Sequence, residues 1–360
     1  MSTVNIKIYK KIGYVDNLPK SEKVLLDLIS NGMPLERLMQ SSPTRNVKLI
    51  NSLYNLEKRG IISLNIESSS PVLKKIYKAL HSIDQSCIKE PGMNNIIGWE
   101  YEWSKYYNLF DILDPHSEQY YLKLLEKEIY MYYISPYLKK IKTNANILDV
   151  GGGVGRFAIE LGRRGYKISL VDASETSLKV ALKYFIKNKI KDFSLYLHDI
   201  DNIDDLFMNE TFDAVFGIEA ICYATNPEKV LRKLLKVTKK GGFLFLSVEG
   251  LYGSILSDPQ IPIDKMHDIL TTGILPIQKN VFTHYYTKDS FRKLVEKCGV
   301  KDSTIYGTHY VPEGPFNRLI DMEKLRLKSY RKYIIKLEKW FASTPAFNEL
   351  ARSWLGIIKK

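Results

Sequence analysis

The sequence predicts an α/β protein: an open, doubly wound sheet with a smaller helical domain ahead of it. Two observations predict the sheet and a third the helical domain. From Ala145 onward, short apolar runs alternate with amphipathic stretches, the pattern of parallel strands joined by right-handed helical crossovers. The first of those runs ends in a glycine-rich bend, Asp149-Val150-Gly151-Gly152-Gly153-Val154-Gly155. Ahead of Ala145, apolar residues recur instead at helical spacing.

Val24, Leu25, Leu28 and Ile29 form an apolar stripe that stops at Asn31-Gly32, a fitting helix end. A short segment follows around Pro34 to Met39. Pro43-Thr44 then opens a third helix bearing Val47, Ile50, Leu53, Tyr54 and Leu56, which ends at Lys58-Arg59-Gly60. Ile61 to Asn65 reads as a strand. Three helices and a strand in this order resemble a winged helix-turn-helix, so residues 1–98 are expected to form a winged-helix-like domain. Residues 99–144 read as a helical linker or lid. Its aromatic stripe, from Trp99, Tyr101 and Trp103 to Tyr130, Tyr132 and Tyr133, suits interdomain packing or the covering of a ligand.

Residues 145–360 carry the α/β pattern. Strands are expected at Ile147–Val150, Lys167–Val171, Phe193–Leu197, Phe212–Gly217 and Phe243–Val248. Helices are expected at Gly155–Arg164, Ser174–Lys187 and Pro227–Val237.

Composition narrows the function. With 45% hydrophobic and 26% charged residues the chain of 360 can bury a core, which excludes a disordered protein. Its apolar runs fall short of a membrane span and Met1 to Asn5 leads into no signal-peptide core, so a cytoplasmic location without membrane contact is expected. The three cysteines, Cys87, Cys222 and Cys298, are widely spaced and fit neither a metal site nor a disulfide framework. A net charge of +13 admits a polyanionic partner, yet the lysines are scattered and a solvated surface accounts for them.

The bend carries the chemistry. Glycines let the chain turn tightly and bring backbone N–H groups and a helix N-terminus toward a ligand. In a dinucleotide fingerprint the third glycine would fall on Arg156, so that pattern fails. Asp149, two places before Gly151, would repel a pyrophosphate but suits a ligand bearing an ammonium group. Asp172 stands about twenty residues beyond the glycines, where a ribose-binding acid belongs, and His198-Asp199-Ile200 ends the next strand.

These features resemble the class I S-adenosylmethionine-dependent methyltransferases, with a Rossmann-like fold, over roughly Ala145 to Tyr306. The resemblance implies S-adenosyl-L-methionine as cofactor. It further implies a binding set of Asp149, Gly151, Gly153 and Gly155 in the loop, Asp172 and Ala173 at the ribose, Asp199 and Ile200 at the adenine, and Glu219 after the fourth strand. Lys239-Lys240-Gly241-Gly242 looks like the turn into the fifth strand. The plain structural alternative makes Asp172 and Asp199 strand-end caps; Asp213, which begins a strand, reads as structural. The family's last strand runs antiparallel and Trp354–Ile358 has its texture, preceded by a helix-like Asn348–Arg352. Segments at about 250–283 and 312–345 are then insertions near the substrate side.

An alcohol or phenol acceptor needs a base, whereas a carboxylate does not. O-methyltransferases with an N-terminal winged helix take that base from a His after the fourth strand, and Glu219-Ala220-Ile221-Cys222-Tyr223-Ala224 holds none. His284 is the candidate catalytic group in its place, against a plain backbone-bonded His, with Tyr223 and Tyr285 to bind substrate or to pack. The expected function is methyl transfer to oxygen or nitrogen of a small molecule or peptide. One refinement is the C-terminal carboxylate of a ribosomally made peptide natural product, as in peptide-tailoring methyltransferases, which the chain also resembles. The alternative is an RNA or DNA methyltransferase that holds nucleic acid with Arg45, Lys48, Lys58 and Arg59 of the winged helix. Homodimerisation is a further use of the N-terminal domain.

Overall fold

The computed structural model describes strands β1 (Asn5–Ile8) and β2 (Ile62–Asn65), then residues 112–360 apart from 118, 258–260, 262 and 279–280. The chain divides into two compact units, Met1–Ser82 and Ile83–Lys360. In the first, β1 pairs antiparallel with β2, Asn5 opposite Asn65 and Ile8 opposite Ile62, so a strand is present where Ile61–Asn65 predicts one. The three helices expected of a winged helix, and the aromatics from Trp99 to Tyr107, lie outside the described residues.

Runs that are apolar on both faces must be paired on both edges and covered by helices. The second unit meets that demand with β3 (Asn146–Val150), β4 (Lys167–Asp172), β5 (Phe193–Leu197), β6 (Phe212–Gly217) and β7 (Thr238–Gly250). These strands run parallel in the order β7-β6-β3-β4-β5. β3, the first strand of this sheet, therefore lies mid-sheet, with its successors on one side and the later strands on the other. Such a reversal of strand order opens a crevice at the carboxyl ends. This is the mixed, Rossmann-like α/β sheet that the alternating pattern predicts.

Side chains cap two of the joining helices. α1 (Tyr120–Leu138) precedes the sheet, and α2 (Arg156–Arg163) starts on Gly155 in the left-handed conformation. For α3 (Glu175–Lys187), Ser174 Oγ accepts from Ser177 N at 3.0 Å. For α4 (Pro227–Val237), Asn226 Oδ1 accepts from Lys229 N at 3.0 Å and Pro227 occupies the first turn.

Lys239-Lys240-Gly241-Gly242 is not a turn but part of β7. It lies where the register with β6 shifts between Phe212 and Ala214, and Gly241 takes φ +75° there. Asp213 is structural, as its position predicts: Oδ2 accepts from Asn146 N and from Lys239 Nζ, each at 2.9 Å.

After β7 come α5 (Leu251–Ser257), α6 (Met266–Thr272) and the antiparallel pair β8 (Ile274–Gln278) and β9 (Val281–Tyr286). β9 joins the sheet at the carboxyl end of β7, Glu249 opposite Tyr285. α7 (Lys288–Lys297) opens with a capping box between Thr287 and Ser290. β10 (Asp302–Thr308) and β11 (Ser353–Lys359) then complete the edge, with β11 antiparallel to both β7 and β10. The antiparallel last strand falls where Trp354–Ile358 predicts it. The helix before it is the short α9 (Pro345–Asn348), which stops ahead of the expected Asn348–Arg352. Between β10 and β11, α8 (Lys328–Ser343) packs on α1 through Leu125, Ile129, Val311, Leu325 and Ile334. Arg331 fastens the two helices by bonds to Glu128 at 2.9 and 3.2 Å.

β11 needs a close fit against β7. A Cβ on Gly250 would lie 2.0 Å from Ala351 O, so only glycine admits this approach. Trp354 is wholly buried, and its Nε1 donates to Tyr286 O at 2.9 Å. Removing the indole should leave a cavity beneath the last strand. Trp354→Ala is predicted to lower unfolding free energy in urea by about 3–5 kcal/mol; a loss below about 1 kcal/mol would mean the site collapses without cost.

Candidate active site

The glycine bend folds on its own backbone. Gly151, Gly153 and Gly155 take φ of +63°, +53° and +82°, a region closed to most side chains. Gly151 N and Gly152 N both donate to Val171 O, at 2.8 and 3.3 Å. Asp172, at the end of β4, accepts from Gly153 N at 2.7 Å through Oδ2 and from Ser174 N at 2.8 Å through Oδ1. One carboxylate thus braces the loop and opens α3. Asp172 is 8% exposed at the end of β4, with much of its accepting capacity already directed at backbone.

Asp149 has a different place from the one expected. Its Oδ2 accepts from Ala158 N at 3.1 Å, and a Cβ on Gly152 would lie 2.8 Å from its Cγ. The carboxyl is 2% exposed and sealed beneath the loop, where it holds the start of α2. Burial pushes its pKa up to about 7, helped by the Asp172 charge and opposed by the Ala158 N–H and by Arg156. A sealed acid that resists ionisation does not line the crevice for an ammonium group.

Glu219 takes the exposed position. It follows β6 with φ +55°, and its N–H donates to Ser247 Oγ at 2.8 Å. Its neighbour Ala220 abuts the glycine loop: a Cβ on Gly151 would come within 2.6 Å of Ala220 Cβ. The Glu219 side chain is 32% exposed. Tyr130 of α1 donates to its Oε1 at 3.0 Å, and Arg156 NH2 lies 3.5 Å from its Oε2. Burial disfavours the charge, but Arg156 foremost, then Lys123, His309 and the Tyr130 hydroxyl, outweigh it and hold the pKa down at about 2. Glu219 is therefore an ionised carboxylate beside the loop.

Arg156 does not face solvent. Its NH1 donates to Glu126 Oε2 at 2.9 Å, and Glu126, only 1% exposed, also pairs with Lys123 at 3.0 Å. Lys123 reaches on to Glu313, in the loop after β10. Glu126 and Lys123 escape a reading of the sequence; their spacing of three on one helix face is the signal they leave, and a common one.

Asp199 is 5% exposed and caps the turn that follows it, Oδ1 accepting from Asp201 N at 3.0 Å. Ala173 and Ile200 are half-buried beside their acids. The caps that the plain alternative assigns to Asp172 and Asp199 are present, and both acids still stand at adjacent carboxyl ends of the sheet.

The candidate catalytic groups gather around the turn after β6. Tyr223 donates to Glu249 Oε1 at 2.9 Å, and burial raises its pKa well above the usual phenol value. Glu249 also meets Arg352. Tyr285 is 8% exposed and packs with Leu251, Ile261 and Ile269 in the insertion after β7. His284 is half-buried. Burial lowers its pKa below the usual imidazole value, against an Ala224 backbone bond and the Asp201 charge, and its Nε2 has no hydrogen-bond partner.

Among the described residues no group of three or more His, Cys, Asp or Glu is placed to hold a metal ion, and no helix is long and apolar enough to cross a membrane. The residues fit a cofactor that carries an ammonium group and a nucleoside. The loop is bare where side chains would collide, an ionised carboxylate adjoins it, and two further acids end the next strands.

This sheet order and loop define a class of proteins that seat a small cofactor at the carboxyl ends of parallel strands. Residues 141–297 match the family model described as a methyltransferase domain, under half of the chain. That segment is similar to methyltransferase domains. "Sterol methyltransferase-like 3" of Botryococcus braunii is 34% identical over 110 residues, 30% of this chain and 28% of that protein. A "Ubiquinone biosynthesis O-methyltransferase" of Rickettsia bellii is 31% identical over 116 residues, 31% of this chain and 47% of that protein. The chain thus spans less than half the length of these curated relatives. Among solved structures, Haemonchus contortus phosphoethanolamine N-methyltransferase 2 with S-adenosyl-L-methionine aligns at 17% identity and TM-score 0.40, covering 66% of this chain and 56% of that one.

The loop's dependence on a sealed acid has a pH signature. The folded pKa of Asp149 is raised from 3.8 to about 7, so its contribution to stability is whole below pH 3.8 and is lost as pH rises through about 7. Asp149→Asn removes that loss. Urea unfolding of the ligand-free protein should show the variant gaining on wild type from about pH 4 to about pH 7 and level thereafter; a difference independent of pH would place the acid outside the buried site.

Proposed function

We propose that this chain is an S-adenosyl-L-methionine-dependent methyltransferase that acts on oxygen or nitrogen of a small molecule or peptide. The observation that carries this reading is the conjunction of Asp172 and Glu219 with the bare glycine loop at the ends of three neighbouring strands. Gly151, Gly153 and Gly155 leave room for the cofactor's amino-acid part, and Glu219 meets its ammonium. Asp172 and Ala173 hold the ribose, Asp199 and Ile200 the adenine. Bound there, the cofactor supplies a methyl group already activated by its sulfonium, so the protein has chiefly to align the acceptor and exclude water.

Tyr223 is no base, since its hydroxyl is a donor to Glu249 and its pKa is raised. His284 is the base in this reading. Its lowered pKa keeps the ring neutral at pH 7, and its Nε2, buried without a hydrogen-bond partner, takes the proton that the acceptor releases once the seated acceptor brings it within reach. Among the described residues, Arg156 and Arg352 at the carboxyl ends are already paired with carboxylates. That pairing favours a hydroxyl or an amine over the C-terminal carboxylate of a peptide.

Labelled S-adenosyl-L-methionine incubated with protein and cell extract should pass its label to the small-molecule or peptide fraction; predominant label in RNA would overturn the acceptor class. Asp172→Ala should weaken S-adenosylhomocysteine binding by roughly tenfold or more in calorimetry, the cost of a lost carboxylate acceptor and a loosened loop. Unchanged affinity would remove the ribose site from Asp172. His284→Asn should lower kcat about 100-fold with cofactor affinity intact, and the wild-type rate should rise with pH through a pKa below 6.5. Should kcat survive, His284 serves the fold alone.

A further inference from the structure

Glu219 is an odd choice for a half-sheltered site. A carboxylate at that depth, with a left-handed backbone, stays charged and in place only if its surroundings hold it. The groups that face it come from each packed element: Arg156 from α2; Lys123, Glu126 and Tyr130 from α1; His309 and Glu313 from the loop after β10; Ser247 from β7; and Cys222 and Tyr223 from its own turn. Of these, Arg156 alone touches both the Glu219 carboxylate and a buried acid of α1, at 3.5 and 2.9 Å. It is also anchored from below, since its guanidinium lies 5.1 Å over the Phe157 ring and its backbone opens α2 directly after the glycine loop.

We propose that Arg156 is a positioning residue: clamped between Glu126 and Glu219, it fixes the Glu219 carboxylate beside the glycine loop to receive the cofactor's ammonium, and makes that fixing depend on the seating of α1. The inference rests on the cofactor reading above. Two carboxylates compete for one guanidinium, and Glu126 has Lys123 as a second partner. When α1 is seated, Lys123 and Arg156 together neutralise Glu126, and Arg156 retains charge for Glu219. Tyr130, Lys123 and Glu126 all come from α1, whereas Arg156, His309 and Ser247 hold Glu219 from the other elements. The site is therefore assembled by α1 as well as by the sheet.

The test is S-adenosylhomocysteine affinity by calorimetry on the full chain, for wild type, R156K, R156M, E219Q and R156M combined with E219Q. R156M should weaken binding on the order of tenfold at neutral pH. Between about pH 8 and about pH 5 it should lose several-fold more, because Glu219 then titrates, whereas wild type and R156K should hold steady. In the E219Q background R156M should add little, since the two act through one contact.

A loss equal at both pH values and equal in both backgrounds would make Arg156 a merely structural residue and overturn the inference. So would full affinity in R156M. If R156M does not fold, R156K with and without E219Q decides the matter. One lysine cannot span both carboxylates, so R156K must cost less affinity in E219Q than in wild type; equal costs overturn the inference. A wild-type protein that binds no S-adenosylhomocysteine would overturn the cofactor reading and this inference with it.

Discussion

The carboxylate of Asp172 is the constraint on which the site depends. It accepts from Gly153 N with one oxygen and from Ser174 N with the other, so it holds the glycine loop and the start of α3 in one grip. A loop of glycines has more conformational freedom to lose than any other sequence, and something must select one conformation. Three fixings do so: the Val171 carbonyl takes two N–H groups, Asp172 takes a third, and Asp149 holds α2 from beneath. The loop needs no side chains because its neighbours supply the contacts.

Two acids near the loop differ in state because their surroundings differ. Asp149 is sealed and resists ionisation, whereas Glu219 is partly open and held ionised by Arg156. Burial raises a carboxyl pKa while cations and donors lower it, and the balance runs oppositely at Asp149 and Glu219. One loop thus combines an acid that serves the fold with another suited to a charged ligand.

The elements outside the parallel sheet complete the crevice. α1 brings Lys123, Glu126 and Tyr130 to its edge, α8 fastens α1 through Arg331 and Glu128, and Glu338 of α8, 1% exposed, accepts from Tyr310 N and Val311 N in the loop that carries Glu313. β9 carries His284 and Tyr285 to the carboxyl end of β7. The parts that shape the acceptor side are thereby tied to each other as well as to the sheet.

Much of the fold was legible in the sequence because its signals are local. Parallel strands buried on both faces read as short apolar runs, helices as stripes with caps, and the loop as glycines after an acid; the strands β3 to β7 and the antiparallel β11 stand where those signals put them. The Lys239–Gly242 segment misled because a glycine bulge inside a strand and a turn before one share the same residues. β8, β9 and β10 left too faint an alternation to read. Of the site, the sequence determined which residues stand at the strand ends. Only the tertiary structure decided that Asp149 is covered, that Glu219 is open and charged, and that Arg156 faces two carboxylates instead of water. Depth, and the company of residues far apart in the chain, set the state of an ionisable group, and neither is written in local spacing.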